Sequence, residues 1–390
     1  MRKVCVVITA RTSYTKIKPI LTALQQRSDV ELQVVCAASA VLERYGKVEK
    51  VVEKDGFAIN ERIYMLLEAE TLLTTAKSAG VGVAEFAGAF DRLQPDAVLV
   101  MADRYEVLSA AISAAYQNIP LAHAQGGEVS GNIDEKVRHA ITKLADLHFP
   151  ATQRAADWIV RMGEAADRVF CTGCPSIDLA AEVVKSPALD FDMYEKYGGV
   201  GAHPDLQGGY IIVMQHPVTT EFADAMKQVR ETLHAVTDWG RPVLWFWPNP
   251  DAGSDALSKG IRSFRENYSP PNIHFIKNME PVDFLRLLYA SEGIVGNSSV
   301  AIRECSYLGV PAINIGNRQA NRECGPNVRH VGYDRAEIKG AIAEHFVGRA
   351  ERSTLYGSGN AGEQIAAVLA TAPLTFSKSL HYPTAETEQN

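Results

Sequence analysis

The run Leu121–Lys143, LAHAQGGEVSGNIDEKVRHAITK, concentrates groups able to move protons. It carries His123 and His139, a glycine pair at Gly126 and Gly127 that lets the backbone turn tightly, and a helix start. Asn132, three residues before Glu135, reads as the N-cap with a box-type partner. Asp134 and Arg138 then share a helix face, as do Glu135 and His139. Left in solvent, the pattern is an ion-paired surface helix. Turned inward, it sets Asp134 beside Glu128 and Asp103, and paired carboxylates of that kind suit general acid–base chemistry. The polarity follows the apolar run Ile119–Ala124, which favours the inward reading.

A second cluster, GNSSVAIRE at Gly296–Glu304, has the makings of an anion cradle. Asn297, Ser298 and Ser299 read as caps of a helix whose first turns carry Arg303 and Glu304. Free amides and hydroxyls at a helix start hold a diphosphate, and Glu304 can accept from two ribose hydroxyls. Arg11, Ser13, Tyr14 and Thr15 in TARTSYTK stand at another helix entry, where amides and a guanidinium suit phosphate, although capping plus a surface arginine explains them equally well. Asp103 and Arg104 follow an apolar run as either an acid–base group or a local ion pair. His216 in MQHPVTT precedes Pro217 and a helix start, and Asn249 lies in WPNPDAG. No G-x-G-x-x-G is present, so a Rossmann dinucleotide site is not expected.

These residues need rigid strands behind them. Buried runs read as strands at Lys3–Thr9, Glu31–Ala37, Asp96–Ala102, Ile119–Ala124 and Arg168–Thr172, with helical stretches between, including one with Ile17, Ile20, Leu21 and Leu24 on a single face. A second series occupies Tyr210–Gln215, Val243–Trp247, Ile273–Ile276, Gly293–Gly296 and Ala312–Ile315. Alternating strands and helices imply parallel sheets with right-handed crossovers. Residues 186–208 hold four glycines and two prolines and read as a linker. The expected organisation is an α/β chain with an N-terminal Rossmann-like domain over 1–185, a C-terminal one over 209–375, and a polar, mobile tail over 376–390. The cleft between the domains is the expected ligand site.

The chain has 390 residues, 46% of them apolar, and a net charge of −7 with its Lys and Arg scattered. Two domains are the default at this length. Neither nucleic acid nor an anionic membrane is an expected partner. No signal peptide is expected, since the apolar run Val4–Ile8 is too short, and no stretch reaches the roughly 18 apolar residues of a membrane helix. Six cysteines make no disulfide framework and fit a reducing cytoplasm; Cys171 and Cys174, one isolated C-x-x-C, are expected to be structural rather than zinc-binding or redox-active.

MADR, HAQGGEVSGNIDEKVRHAITKLA, TGCPSID, QHPVTT, PNPDAG, GNSSVAIRE and INIGNRQANRE closely resemble the hydrolysing UDP-N-acetylglucosamine 2-epimerases, over roughly residues 3–370. The resemblance implies the glycosyltransferase-B fold and a soluble homodimer or homotetramer acting on a UDP-linked N-acetylhexosamine. It implies elimination of UDP to a 2-acetamidoglycal, then hydration to free N-acetylmannosamine, for sialic-acid-type sugars. Arg11, Thr15, Arg104, His216, Asn249, Ser298, Ser299, Glu304 and Arg318 match nucleotide-binding positions, with the backbone of Lys277, Asn278 and Met279 reading the base edge. Asp103 and Asp134 match catalytic carboxylates. The chain departs from H-x-E-G-G at Gln125, an amide that cannot exchange protons usefully, so that duty passes to Asp103, Glu128 or Asp134, or the activity is altered; Gln125 and Arg138 are counted in the expected catalytic set. ARTSYT also departs from the usual N-R-A-D-Y or S-R-A-E-Y. No cofactor is implied, and Arg and His can hold the leaving diphosphate without a metal. A sibling reading has the same reaction on a UDP- or GDP-linked 2,4-diacetamido-2,4,6-trideoxyhexose, towards legionaminic acid. The other classes are a glycosyltransferase, which would want an acceptor site, and an inactive nucleotide-sugar sensor.

Overall fold

The segment RKVCVVI is buried without a break from Val4 to Ile8 and forms β1 (Arg2–Ile8), inside a sheet. Continuous rather than alternating apolarity is what a parallel strand covered on both faces requires. The computed structural model describes residues 1–68, 71–129, 133–218, 221–248 and 254–381. β1 is joined by β2 (Val30–Ala37), β3 (Glu61–Ile63), β4 (Ala97–Met101), β5 (Leu121–Ala124) and β6 (Leu147–Phe149) in the order β3-β2-β1-β4-β5-β6, all parallel. The direction of winding reverses between β1 and β4. Such a switch point opens a crevice at the strands' carboxyl ends.

The second sheet repeats the plan. It contains β7 (Val200–Gly201), β8 (Ile211–Met214), β9 (Val243–Phe246), β10 (Ile273–Ile276), β11 (Gly293–Gly296), β12 (Ala312–Ile315) and β13 (Val328–Val331). Its order is β13-β12-β11-β8-β9-β10-β7, parallel except for β7, with the reversal between β8 and β11. Each sheet has an apolar cluster on either face, such as Val6, Ile17, Leu21 and Phe149 against Val7, Phe86, Phe90 and Val100 in the first. Both units therefore have the Rossmann strand order.

Four expectations about organisation are corrected. The division between the units falls at Asp178 and Leu179, and the chain returns to the first unit at Gly357. Helix Ala361–Thr371 belongs there rather than to a 209–375 domain: Ile365 and Leu369 join the core beneath helix Arg11–Gln25. Both its ends are tied down. The Asp178 carboxylate accepts from the amides of Ala361 (2.9 Å) and Gly362 (2.7 Å), and Arg2 donates to the carbonyls of Leu369 (2.7 Å) and Ala372 (2.9 Å). A Cβ at Gly362 would stand 2.7 Å from a Pro19 backbone atom, so the close helix contact needs glycine.

The segment read as a linker is instead built onto the second sheet. Helix Met193–Tyr197 leads into β7, the antiparallel edge partner of β10. Gly199 (φ +132°) passes over the His274 ring, where a Cβ would come within 2.2 Å of Nε2. The polar end is anchored too. Lys378 inserts its ammonium against the carbonyls of Thr142 (3.3 Å) and Ala145 and a Glu164 carboxylate oxygen (2.6 Å), and the His381 amide donates to Gly163. Residues 382–390 lie outside the described residues. Arg168–Thr172 is no ladder strand: Val169 makes one isolated bridge to His148 after a 3-10 turn at Ala166–Arg168.

Candidate active site

At the first switch point the turn after β4 is built from strain. Ala102 has φ +68°, an unusual conformation for a residue with a Cβ. Both its polar backbone groups are held by β5: its amide donates to the Ala124 carbonyl (3.0 Å), and its carbonyl accepts from His123 Nε2 (2.8 Å). A carbonyl can only accept, so Nε2 carries the proton, and Nδ1 accepts from the Thr142 hydroxyl at 3.1 Å. Complete burial pushes the His123 ring down to about 3, so it is neutral at physiological pH. Gly126 is glycine because a Cβ there would meet Thr142 Oγ1 at 2.9 Å and His123 Nδ1 at 3.0 Å.

Asp103 follows Ala102, and its carboxylate is paired with the guanidinium of Arg138. Arg138 is 1% exposed and also donates to the Glu128 carbonyl oxygen at 2.6 Å. The pair Glu135–His139 forms along the helix surface as its spacing predicts, at 3.5 Å. Arg138, on the same helix, is buried and reaches Asp103. Arg104 pairs with the buried Glu106 at 3.2 Å. Asp134 stands half-buried in the first turn of helix Ile133–Leu144, and the Glu128 side chain is buried nearby in sequence. The N-cap expected at Asn132 lies outside the described residues.

Gln125 is buried with φ +65°. Its Oε1 accepts from Lys16 Nζ at 3.4 Å, and its Nε2 donates to Cys174 Sγ at 2.9 Å, with Ser176 Oγ 3.0 Å from the same sulfur. Cys171, the other cysteine of the C-x-x-C, is exposed. Arg11 begins helix Arg11–Gln25 and is half-buried; the Thr15 hydroxyl bonds back to the Arg11 carbonyl at 3.2 Å.

At the second switch point Asn297 acts as a clip rather than a cap. Its side chain accepts from the His216 amide (2.7 Å) and donates to the His216 carbonyl (2.8 Å), fastening the end of β11 to the end of β8. Its own carbonyl accepts from Arg318 Nη1 (3.2 Å) and Gln319 Nε2 (2.9 Å). The helix expected after GNSS is a 3-10 turn, Ser299–Ala301, with Ser298 as its N-cap; the α-helix is short and starts only at Glu304. Glu304 is buried, and among the described residues its Oε2 has no hydrogen-bond partner. A buried carboxylate oxygen left open is costly unless something else donates to it. The helix expected just after Pro217 begins only at Ala225. Lys277 and Asn278 are exposed beyond β10, and Met279 packs into the core. Asn249 lies outside the described residues.

Sequence reading missed four contributors: Lys16, Thr9, Gln215 and Gln319. Thr9 and Gln215 are the first residues past β1 and β8, and both are buried. Among the described residues Thr9 Oγ1 and Gln215 Oε1 have no partner. A polar residue closing an apolar run beside a switch point is the signal that could have found them. Among the described residues no cluster of three or more His, Cys, Asp or Glu could hold a metal, and no helix is long and apolar enough to cross a membrane.

Two Rossmann-like units with polar sets at their switch points define an α/β protein of the glycosyltransferase-B fold class. Within that class the chain belongs to the UDP-N-acetylglucosamine 2-epimerase family, whose family model matches residues 22–370. It is 30% identical over 376 residues to a UDP-N,N'-diacetylbacillosamine 2-epimerase (hydrolyzing) of Legionella pneumophila, covering 96% of this chain and 97% of that one. It is 28% identical over 346 residues to a UDP-N-acetylglucosamine 2-epimerase of Neisseria meningitidis, covering 88% and 87%. The fold is similar to a crystal structure of UDP-GlcNAc 2-epimerase from Neisseria meningitidis bound to UDP-GlcNAc, with a TM-score of 0.79 at 19% identity over 94% of this chain and 99% of that one.

Proposed function

We propose that this protein is a hydrolysing 2-epimerase that converts UDP-N-acetylglucosamine to UDP and free N-acetylmannosamine for sialic-acid-type sugars. The observation that carries the reading is the Asp103 carboxylate held by buried Arg138 at the first switch point. In this reading a carboxylate among Asp103, Glu128 and Asp134 removes the C2 proton of the sugar as the C1–O bond to UDP breaks, which leaves a 2-acetamidoglycal. Water then adds its oxygen at C1 as a second carboxylic acid gives its proton to the opposite face of C2; that acid's carboxylate takes up the proton water releases, and the first carboxylic acid returns its proton to solvent. General acid–base help contributes typically about 10²–10⁴-fold, so binding of the leaving diphosphate must supply much of the rest. His216, Ser298, Ser299 and Arg318 take the diphosphate with Arg11, Thr15 and Arg104, while Glu304 takes the ribose. Asn249 joins that set, and the backbone of Lys277 to Met279 meets the base edge. Gln125 orients rather than exchanges protons.

The test is incubation of purified protein with UDP-N-acetylglucosamine in deuterated water. Release of UDP with deuterium at C2 of N-acetylmannosamine supports the reading, and intact substrate under conditions where binding is demonstrated overturns it. The likeness to the Legionella pneumophila protein favours a second reading, the same reaction on a UDP- or GDP-linked 2,4-diacetamido-2,4,6-trideoxyhexose. UDP or GDP release across that substrate panel separates the two.

A further inference from the structure

We propose that His123, in its neutral Nε2–H form, is a positioning residue that locks the Ala102–Asp103 turn and so holds the Asp103 carboxylate on Arg138, in place for proton transfer with the sugar. The inference rests on the reading of Asp103 as an acid–base group. Ala102 occupies the left-handed region without being glycine, and such a conformation persists only where its surroundings hold it. Here consecutive residues of one strand do the holding. The Ala124 carbonyl takes the Ala102 amide, and the His123 ring gives its proton to the Ala102 carbonyl. Thr142 completes the brace from helix Ile133–Leu144, the helix that also supplies Arg138. One imidazole thus spans the turn before Asp103 and the helix that grips Asp103.

The ring is 0% exposed and lies behind the turn, so its role is to place a neighbour rather than to touch substrate. The closing of Gly126 over His123 Nδ1 leaves the ring little freedom to rotate. Loss of the Nε2–H donor frees the Ala102 carbonyl, and the turn can then relax to negative φ, swinging Asp103 away from Arg138.

His123→Gln, His123→Asn and His123→Phe separate the two ring nitrogens. A Gln amide reaches the position of Nε2 and can donate to Ala102; an Asn reaches only the position of Nδ1; a Phe supplies neither. Phe and Asn are expected to lower kcat about 100-fold with KM and UDP affinity unchanged, as expected for a misplacement on the order of 1 Å. Gln is expected to recover kcat to within about tenfold of the wild type. Equal losses in all three variants, or losses confined to UDP binding, overturn the inference. If His123→Phe does not fold, Thr142→Val serves in its place, with kcat expected to fall about fivefold at constant KM; an unchanged kcat overturns the inference. A crystal structure of the His123→Phe or His123→Asn chain, both of which lack the Nε2–H donor, decides the matter without substrate: Ala102 still at positive φ and Asp103 still on Arg138 overturns the inference. Absence of wild-type turnover on any sugar nucleotide fails the proposed function alone.

Discussion

The guanidinium of Arg138 binds the Asp103 carboxylate with one nitrogen and the Glu128 carbonyl oxygen with another. A residue of helix Ile133–Leu144 thereby ties the turn after β4 to the loop after β5, with the cation almost wholly out of water. Buried charge survives only when it is paired and hydrogen-bonded, and both conditions are met here.

Arg138→Lys tests that arrangement while keeping the charge. An ammonium is a compact donor and cannot reproduce the planar fork that serves two acceptors in different directions. The expected result is a fall in kcat of about 100-fold with UDP affinity held within about twofold, read by UDP-release kinetics and calorimetric titration. Parallel loss of UDP affinity would assign Arg138 to nucleotide binding instead.

Asp134→Asn keeps the shape of a side chain in the first turn of the same helix and removes its ability to exchange a proton. Turnover is expected to fall by about 10²–10⁴-fold while UDP binding stays nearly intact. Equal loss of both would make Asp134 a structural residue of the helix start. Asp103→Asn, measured alongside it, is expected to behave the same way and to loosen Arg138 in addition.

Glu304→Gln addresses the other unit. The open Oε2 is buried at the first residue of the short helix Glu304–Leu308, where a pair of hydroxyl donors would satisfy it. An amide retains one acceptor and loses the charge. UDP affinity is expected to weaken about tenfold to a hundredfold, with uridine binding affected as well, if the proposed contact to ribose is made. Uridine binding unchanged by the substitution would remove the ribose assignment.

The strands near the switch points were readable because double burial writes an unbroken apolar run, as in VCVVI of β1 and AVLVM of β4. The polar residues closing such runs, Asp103, His216 and Asn297, followed from the same signal. Side-chain partners did not. The spacing of Asp134 and Arg138 points along the helix and carries no sign of Asp103, yet a guanidinium is long enough to cross to a neighbouring turn, and it reaches Asp103. Boundaries were hidden for a related reason: Asp178 and Arg2 cap a helix 183 and 367 residues away, respectively, from the first residue each holds. The glycines of residues 198–201 suggested a linker because close approach to a ring and a free turn both call for glycine.

Glu164 gives a prediction about acid stability. Burial by itself would raise its carboxyl, but hydrogen bonds from His148 (3.0 Å), Lys143 (2.5 Å) and Lys378 (2.6 Å) outweigh that and hold it down at about 2, against an ordinary 4.5. A group whose folded pKa lies below its unfolded one stabilises the fold fully above the unfolded value, and that contribution is lost as pH falls through the folded value. The wild-type melting temperature is therefore expected to drop through the window from about 4.5 towards about 2. Glu164→Gln should melt lower near pH 7, because it leaves Lys378 and Lys143 without their carboxylate, and should lose less on acidification. Melting curves of both chains from pH 7 to pH 2.5 check this, and a constant gap between them would show that Glu164 does not carry the acid dependence. The same substitution frees the segment around Lys378, which is otherwise anchored on the last carbonyls of the helix that carries Asp134 and Arg138. A fall in kcat beyond what the lower stability explains would show that this anchor acts on turnover through that helix.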